Sequence, residues 1–172
     1  MPIRSLNIEE LVAAKEVFSD GLDTSRVRIN EQSRLPNIIG RIGAFLKGRP
    51  APTANAITVA NTSYFPRKLK NDLTDMGWLI HELTHQWQYQ HDGIGYLFQA
   101  AFASTYVYDI KGKNHGKSLK EYHKQGKKFR DFNREQQGDI VRDYYLALKE
   151  PESDEDGSDW EPYMEEVRQP PR

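Results

Sequence analysis

Apolar residues between positions 75 and 90 recur at the spacing that places them on one face of a helix. The members of this stripe are Met76, Leu79, Ile80, Leu83 and Trp87. Asp72, whose side chain can cap a helix, precedes the stripe, and Gly93 and Gly95 follow it. The pattern therefore predicts an amphipathic helix over about Asp75–Gln90 with one buried face.

The same kind of pattern predicts further helices and a small sheet. Asn7 and Glu10 have the spacing of a capping box for a helix over residues 8–18. The apolar run Tyr96–Tyr108 predicts a buried helix behind the central one, and Gly40–Thr53 predicts a loop. Short β-branched or aromatic runs predict strands at Val27–Ile29, Ile57–Val59 and Ser63–Phe65. The expected fold class is therefore α+β and mainly helical.

Composition limits the number of domains and the available chemistry. With 172 residues, of which 37% are hydrophobic, the chain can bury one core, so we expect a single domain over residues 1–150. The absence of cysteine excludes disulfides and thiolate metal ligands. Charges interrupt any signal-peptide core in residues 1–18, and no apolar stretch is long enough to span a membrane.

The C-terminal residues differ in charge from the rest of the chain. Residues 151–172 contain 8 acidic and 2 basic residues, whereas residues 1–150 contain 17 acidic and 22 basic residues. Four prolines and few apolar residues accompany this acidity, so we expect a flexible or loosely docked tail over 151–172. Trp160, Tyr163 and Met164 are exceptions that would anchor the tail on the body or on a partner.

A basic strip between Lys111 and Arg134 has two interpretations. It carries nine lysines and arginines against two acidic residues, with aromatic residues between them. One interpretation is a surface for nucleic acid or another anionic polymer. The favoured one is a solvated face whose charge is matched by the acidic tail, because no recognised nucleic-acid-binding module accompanies the strip. We therefore expect no nucleic-acid partner.

His81, Glu82 and His85 carry the clearest chemical signal in the chain. Histidines at positions i and i+4 share one helix face, so both rings can direct a nitrogen at a single Zn²⁺. Glu82 then stands beside the metal, where it can act as the general base on a water molecule. The alternative is a histidine pair that is packed and hydrogen-bonded at a half-buried helix edge.

A catalytic zinc site needs a third protein ligand, and a later helix offers one. Glu135 and Asp139 also share a face at i and i+4 within the run Asn133–Tyr145. Glu135 is therefore the predicted third ligand. Asp139 is predicted to accept the second ring N–H of a ligating histidine, which fixes its tautomer. The alternative for both residues is a charged helix face in solvent.

The combination of His81-Glu82-x-x-His85 with Glu135-x-x-x-Asp139 resembles the gluzincin pattern of zinc metallopeptidases. The longer strings 55–65 and 78–88 look like the small metallopeptidase domains associated with bacterial contractile injection and type VI secretion systems. Some of these are toxin domains fused to spike proteins. The resemblance covers about residues 17–146, and it implies a zincin-like domain in which two helices supply the metal ligands.

The resemblance also implies a function. We expect a zinc-dependent peptidase with Zn²⁺ as cofactor and Glu82 as general base, secreted as an antibacterial toxin that cleaves protein or cell-wall peptide. It would be made in the bacterial cytoplasm without a signal peptide and delivered to the periplasm of a target cell. The expected partners are the peptide substrate, a spike protein and an immunity protein. An edge strand, either Ala56–Val59 or Ser63–Phe65, would pair with extended substrate.

Two parts of this expectation stay open at the level of sequence. The donor that stabilises the oxyanion of the tetrahedral intermediate is sought among His115, His123, Tyr144 and Tyr145. A non-enzymatic zinc-fold structural or adaptor module of a secretion particle is the alternative function, and a cytosolic processing peptidase is another. Glu82 favours an enzyme, because a purely structural metal site has no use for an acid beside its first ligand.

Overall fold

The computed structural model describes residues 2–36, 55–93, 108, 113–150 and 157–171. These residues form an α+β fold with five helices and one three-stranded sheet. The elements in chain order are α1 (Ile8–Phe18), β1 (Arg28–Asn30), β2 (Ile57–Val59), β3 (Thr62–Tyr64), α2 (Leu73–Asp92), α3 (His115–Lys124), a 3-10 turn (Phe129–Asp131), α4 (Arg134–Lys149) and α5 (Glu161–Val167). The loop predicted over Gly40–Thr53 and the helix predicted over Tyr96–Tyr108, apart from Tyr108, lie outside the described residues.

Helix α2 is the central element, and it is two residues longer at each end than the apolar stripe predicts. Its N-terminus is capped by Asp72, whose side chain accepts a hydrogen bond of 2.9 Å from the backbone N–H of Asp75. It ends at Gly93, which has a φ of +64°. Neither α2 nor any other helix in the described part of the chain is both long and apolar enough to cross a membrane.

The sheet lies beside α2, with β3 in the middle. Strand β3 pairs in parallel with β1 and antiparallel with β2, so the order is β1-β3-β2. Of the two predicted edge segments, the one at Ser63–Phe65 is therefore wrong, since β3 is paired on both sides. The segment Ala56–Val59 contains the outer strand β2. Helix α1 has the predicted capping box, in which Asn7 and Glu10 exchange two hydrogen bonds of 2.8 Å.

Helices α2 and α4 pack against each other in antiparallel directions. Gly77, near the start of α2, faces Leu146 near the end of α4. At the other end of the pair, the Gln88 side chain donates to the backbone carbonyl of Arg134. Asn133 and Gln136 form a capping box that begins α4. The antiparallel crossing places the middle of α2 against the first half of α4.

The C-terminal residues belong to the hydrophobic core, which differs from the flexible tail expected from composition. Trp160, Tyr163, Met164 and Val167 are each at most 1% exposed. The indole N–H of Trp87 in α2 donates a 2.8 Å hydrogen bond to the Val167 carbonyl. Large apolar side chains at helical spacing outweigh the acidity of the surrounding residues, because burying them removes apolar surface from water. Residues 157–171 are therefore docked on the body rather than flexible, and Trp160, Tyr163 and Met164, which the sequence marks as anchors, lie in the core.

Candidate metal centre

The crossing of α2 and α4 brings together the two motifs that the sequence analysis selected. The Nε2 atom of His81 lies 3.5 Å from one carboxylate oxygen of Glu135, and the Nε2 atom of His85 lies 3.6 Å from the other. One ligand atom from each of the three residues lies within 4.8 Å of the other two. We call His81, His85 and Glu135 the metal group.

The chemistry and burial of the metal group fit a divalent cation. Two imidazole nitrogens and one carboxylate form a donor set found in catalytic zinc sites, which leave one position open for water or substrate. The exposed fractions of the side chains of His81, His85 and Glu135 are 12%, 8% and 16%. The three residues can therefore hold a metal ion at a site that is largely shielded but still reachable from solvent.

Electrostatics show that the metal group favours positive charge. Burial lowers the pKa of His81, but its contacts with Asp139 and Glu135 outweigh burial and raise that pKa to about 10. Burial raises the pKa of Glu135, but its contacts with His81 and His85 outweigh burial and hold that pKa well below its usual range. A proton on His81 supplies positive charge between the two carboxylates, and a bound cation would supply it as well.

Two residues of α4 besides Glu135 determine where the His81 ring lies. The Nδ1 atom of His81 is 3.1 Å from a carboxylate oxygen of Asp139, so the two groups are close enough for an ion pair when the ring is protonated. Asp139 also accepts a 2.5 Å hydrogen bond from Arg142. A Cβ atom on Gly138 would lie between 2.7 and 3.0 Å from three atoms of the ring. Gly138 was not predicted from the sequence. A glycine inside a helix, close to a candidate metal ligand, is the pattern that could have indicated it.

The sheet holds the side chain of Glu82. The Thr58 hydroxyl in β2 donates a 2.7 Å hydrogen bond to a carboxylate oxygen of Glu82. The Thr58 hydroxyl also lies 2.8 Å from the Ser63 hydroxyl, which accepts a 2.7 Å hydrogen bond from the Gln86 amide. The charge on Glu82 contributes to the raised pKa of His81, which places that charge near the metal group. Thr58 and Ser63 were not predicted from the sequence, because no short motif connects them to Glu82.

Among the predicted oxyanion donors, His115 lies on the same side of α4 as Asp139. It is in the first turn of α3. Its Nδ1 atom is 2.6 Å from a carboxylate oxygen of Asp143, one helical turn after Asp139, and its side chain is 41% exposed. The same oxygen of Asp143 accepts a 2.6 Å hydrogen bond from the Tyr108 hydroxyl, and Arg142 binds the other oxygen. We call Tyr108, His115, Arg142 and Asp143 the Asp143 group.

The other three predicted donors contact different parts of the molecule. The Tyr144 hydroxyl donates to Glu161 of α5 over 2.6 Å, so it is turned towards the C-terminal helix. Tyr145 is 5% exposed, and the ammonium of Lys149 lies 5.6 Å from the centre of its ring. The ring of His123 packs edge-on against Tyr163. None of these contacts involves the metal group, so the structure does not bring Tyr144, Tyr145 or His123 to the predicted site.

The basic strip is partly matched by acidic residues in the structure. The C-terminal residues Asp159 and Glu166 pair with Lys120 and Arg130, over 3.3 and 3.4 Å. The ammonium of Lys127 lies over two aromatic rings, at 3.7 and 4.3 Å from their centres. These contacts support the interpretation in which the C-terminal acidic residues match part of the charge on the strip.

Comparison with known proteins shows that the chain is similar to part of a secretion-system component. No protein-family model matches the chain. Over 157 residues it is 32% identical to the type VI secretion system spike protein VgrG2b of Pseudomonas aeruginosa. That match covers 86% of this chain but only 13% of the spike protein.

The structural comparison identifies which part of the spike protein is similar. The solved effector domain of Pseudomonas aeruginosa VgrG2b superposes on this chain with a TM-score of 0.64 and 28% sequence identity. The superposition covers 93% of this chain and 83% of that domain. The similarity therefore extends through nearly the whole of both. In sequence and in structure, the chain is homologous to the effector domain of a type VI secretion spike protein.

Proposed function

We propose that this chain is a metal-dependent peptidase that acts as a type VI secretion effector. The observation that carries the proposal is the convergence of His81, His85 and Glu135 beside a carboxylate, Glu82, that a separate element holds in place. A buried cluster of this composition is costly to build unless a protonated histidine or a bound cation balances its carboxylates, and a bound cation would do so without a proton. Metal-assisted hydrolysis is the chemistry that such a cluster supports best.

Glu82 is the proposed general base. When bound, an ion such as Zn²⁺ supplies a Lewis acid that polarises a carbonyl group and makes water more acidic. Glu82 accepts a proton from the attacking water and returns it to the leaving amine, so no covalent intermediate with the protein is needed. The hydrogen bond from Thr58 holds one oxygen of Glu82, which keeps the carboxylate orientation fixed during this transfer.

His115 is the proposed donor to the negative charge that develops on the substrate oxygen. Asp143 engages its Nδ1 atom over 2.6 Å, which fixes the orientation of the ring. The 41% exposure of its side chain places the ring at the surface, where a substrate would arrive. A donor that is already oriented stabilises a developing charge without reorganisation, which is the physical basis of oxyanion stabilisation.

The homologue supports the proposed biological role. VgrG2b is a type VI secretion spike protein, and its effector domain is the part that this chain resembles. We therefore propose that a secretion spike carries this domain into a competing bacterial cell. There it would cleave a protein or a wall peptide, and an immunity protein would protect the producing cell. The match covers only 13% of the spike protein, so the match itself does not identify the spike or the immunity protein as partners of this chain, and both are proposed here.

The experiment compares the wild type with the Glu82→Gln variant. Glutamine can still accept the Thr58 hydrogen bond, so we expect the fold and the zinc content, measured by mass spectrometry, to be unchanged. Hydrolysis of a library of quenched fluorescent peptides should fall by about 10²–10⁴-fold, the usual contribution of a general base. Unchanged hydrolysis would show that Glu82 is not the base.

A second experiment distinguishes an enzyme from a non-enzymatic structural module. The wild type and the Glu82→Gln variant are each expressed in bacteria, either in the cytoplasm or with an added signal for export to the periplasm. We expect growth arrest from the wild type only. If both proteins bind zinc and neither hydrolyses peptide nor arrests growth, the adaptor function is favoured and the peptidase is excluded. If the wild type binds no divalent metal, the proposed metal centre is wrong.

A further inference from the structure

Two glutamines are buried between α2 and α4, next to the metal group. Gln88 of α2 is 0% exposed and Gln137 of α4 is 1% exposed. An amide side chain has a donor end and an acceptor end, and a buried amide is stable only when both ends are satisfied. The orientation of each amide can therefore be derived from its neighbours.

The orientation of Gln137 is determined by backbone carbonyls. Its Nε2 atom lies 3.2 Å from the carbonyl oxygen of Phe129 and 3.0 Å from that of Phe132. Carbonyl oxygens only accept hydrogen bonds, so the NH₂ end of Gln137 must face them. Its Oε1 atom then points away from them, and it accepts a 3.0 Å hydrogen bond from Nε2 of Gln88.

Gln88 is consequently held in one orientation as well. Its Nε2 atom donates to Gln137 and also to the carbonyl oxygen of Arg134, over 2.9 Å. A reversed amide would place its oxygen against two acceptors, which is unfavourable in a buried site. The Oε1 atom of Gln88 therefore faces Nδ1 of His85, at 2.9 Å. Because this oxygen can only accept, Nδ1 must donate.

We infer that Gln88, oriented by Gln137, is a positioning residue that keeps the ring proton of His85 on Nδ1. The other ring nitrogen, Nε2, is then the one with a lone pair, and it lies 3.6 Å from the Glu135 carboxylate within the metal group. The inference rests on the proposed metal centre and assigns the nitrogen through which His85 would bind the ion.

The two histidines of the metal group are thus supported by different chemistry. His81 is held by the carboxylate of Asp139, whereas His85 is held by a neutral amide. An acid at position 88 would also accept the proton of Nδ1, but it would bring a further negative charge into the buried site and lose the two donated hydrogen bonds. Gln88 fixes the tautomer without changing the net charge of the site.

The direct test is the tautomer of His85 in metal-free protein. At mildly alkaline pH, long-range ¹H–¹⁵N correlation spectra distinguish a protonated from an unprotonated ring nitrogen, and a His85→Gln spectrum assigns the signals. We expect the proton on Nδ1 in the wild type. A neutral ring with its proton on Nε2 would overturn the inference. This measurement does not require a Gln88 variant to fold.

Variants then test whether the glutamines cause this preference. Gln88→Met keeps the side-chain length but removes the acceptor, so it should weaken the Nδ1 preference. It should also lower zinc affinity by about 10–100-fold, the range for residues that hold a metal ligand in place. Gln137→Met should act in the same direction with a smaller loss, because Gln88 keeps its bond to Arg134. Zinc affinity is measured by competition with a chromogenic chelator.

Gln86→Met is the matched control. Gln86 has the same residue type, helix and 0% exposure as Gln88, but its amide bonds to Ser63 and to the Arg28 carbonyl on the sheet side. We expect wild-type tautomer and zinc affinity in this variant. Equal zinc affinities for Gln86→Met and Gln88→Met would overturn the inference. A wild type with the proton on Nδ1 that binds no zinc would instead overturn the proposed function and leave the tautomer assignment standing.

Discussion

Helix α4 supplies the carboxylates of two histidine–carboxylate groups, and the groups differ in how the negative charge is balanced. In the metal group, Glu135 meets His81 and His85, neither of which has a permanent charge. In the Asp143 group, one carboxylate accepts hydrogen bonds from a tyrosine and from Arg142, which is always charged, and it contacts His115. The two groups lie about two helical turns apart on the same helix.

The difference predicts which of the two groups should bind a metal ion. The carboxylate of Asp143 is already balanced by a guanidinium and by two further contacts. Burial raises the pKa of Asp143, yet His115, Arg142 and Tyr108 outweigh burial and hold that pKa below its usual range without any ion. The carboxylate of Glu135 is balanced only when a neighbouring ring is protonated or a cation is bound. We therefore expect metal dependence in the metal group and none in the Asp143 group.

The largest expected contrast is in zinc affinity. Glu135→Gln removes a proposed ligand, so its loss should exceed the roughly 10–100-fold that is typical for residues outside the ligand set. Asp143→Asn is the same kind of change about two turns along the same helix, and it should leave zinc affinity as in the wild type. Titration with a competing chelator measures both. Similar losses in the two variants would contradict the distinction between the groups.

Gly138 offers the next contrast, because it lies under the His81 ring. In Gly138→Ala, the added methyl would lie as little as 2.7 Å from a ring atom, so the ring or the helix must shift. We expect a loss of about 1–3 kcal/mol in the free energy of unfolding, as for other overpacked sites. We also expect weaker zinc binding. Denaturant unfolding of the metal-free protein and zinc titration measure the two effects.

Gly77→Ala is the control for Gly138→Ala. Gly77 lies on the same helix pair, but its added methyl would meet the end of the Leu146 side chain at 3.1 Å, and that side chain can move. Alanine also favours the helix over glycine by about 1 kcal/mol. We expect near-wild-type stability and unchanged zinc affinity. Weaker zinc binding in Gly77→Ala would mean that helix spacing in general, rather than the His81 ring, is what Gly138 protects.

Local patterns were sufficient for part of the fold. The apolar stripe and Asp72 predicted α2, and the spacing of Asn7 and Glu10 predicted the capping box of α1, because both signals lie within a few residues. The acidic composition of the C-terminal segment was misleading. Trp160, Tyr163 and Met164 stood out as anchors, but local spacing could not show that they join the core, because their partners belong to distant parts of the chain.

In the candidate site, too, local spacing predicted some residues and only tertiary packing brought in the others. His81, His85, Glu135 and Asp139 were predictable, since each pair lies within one helix at a spacing that fixes a common face. Thr58 was not, because it reaches Glu82 across 24 residues and only the packing of a strand on a helix joins them. The oxyanion candidate Tyr144 faces Glu161 rather than the metal group. Nine residues after Glu135 correspond to about two and a half turns, which is the opposite face of α4.

The charge state of His81 predicts that zinc affinity depends on pH. The pKa of His81 is raised from 6.5 to about 10 in the metal-free protein, so at neutral pH the ring is protonated and must lose that proton to bind zinc. Affinity should therefore rise about tenfold per pH unit between slightly acidic and slightly alkaline pH. Calorimetry in buffers of different ionisation enthalpy counts the released proton. Asp143→Asn should keep this slope, and a flat profile in the wild type would contradict the charge state assigned to His81.

The smallest expected effect concerns stability in acid, measured by denaturant unfolding of metal-free protein. The pKa of Asp143 is lower in the folded protein than the unperturbed value of about 3.9. Its contribution to stability is therefore complete above that value and is lost as the pH falls through the folded pKa. Asp143→Asn should cost about 1–3 kcal/mol at neutral pH, as for a buried hydrogen bond to a charged group. The difference from the wild type should shrink below about pH 4.

Asp159→Asn is the control for this acid effect, since it removes a carboxylate that pairs with the exposed Lys120. A pair of this kind is worth about 0–1 kcal/mol, so the variant should follow the wild type closely at every pH. If Asp143→Asn instead differs from the wild type by the same amount at all pH values, then asparagine disturbs the shape of the Asp143 group rather than its charge. In that case the internal charge balance that distinguishes this group from the metal group would lose its support.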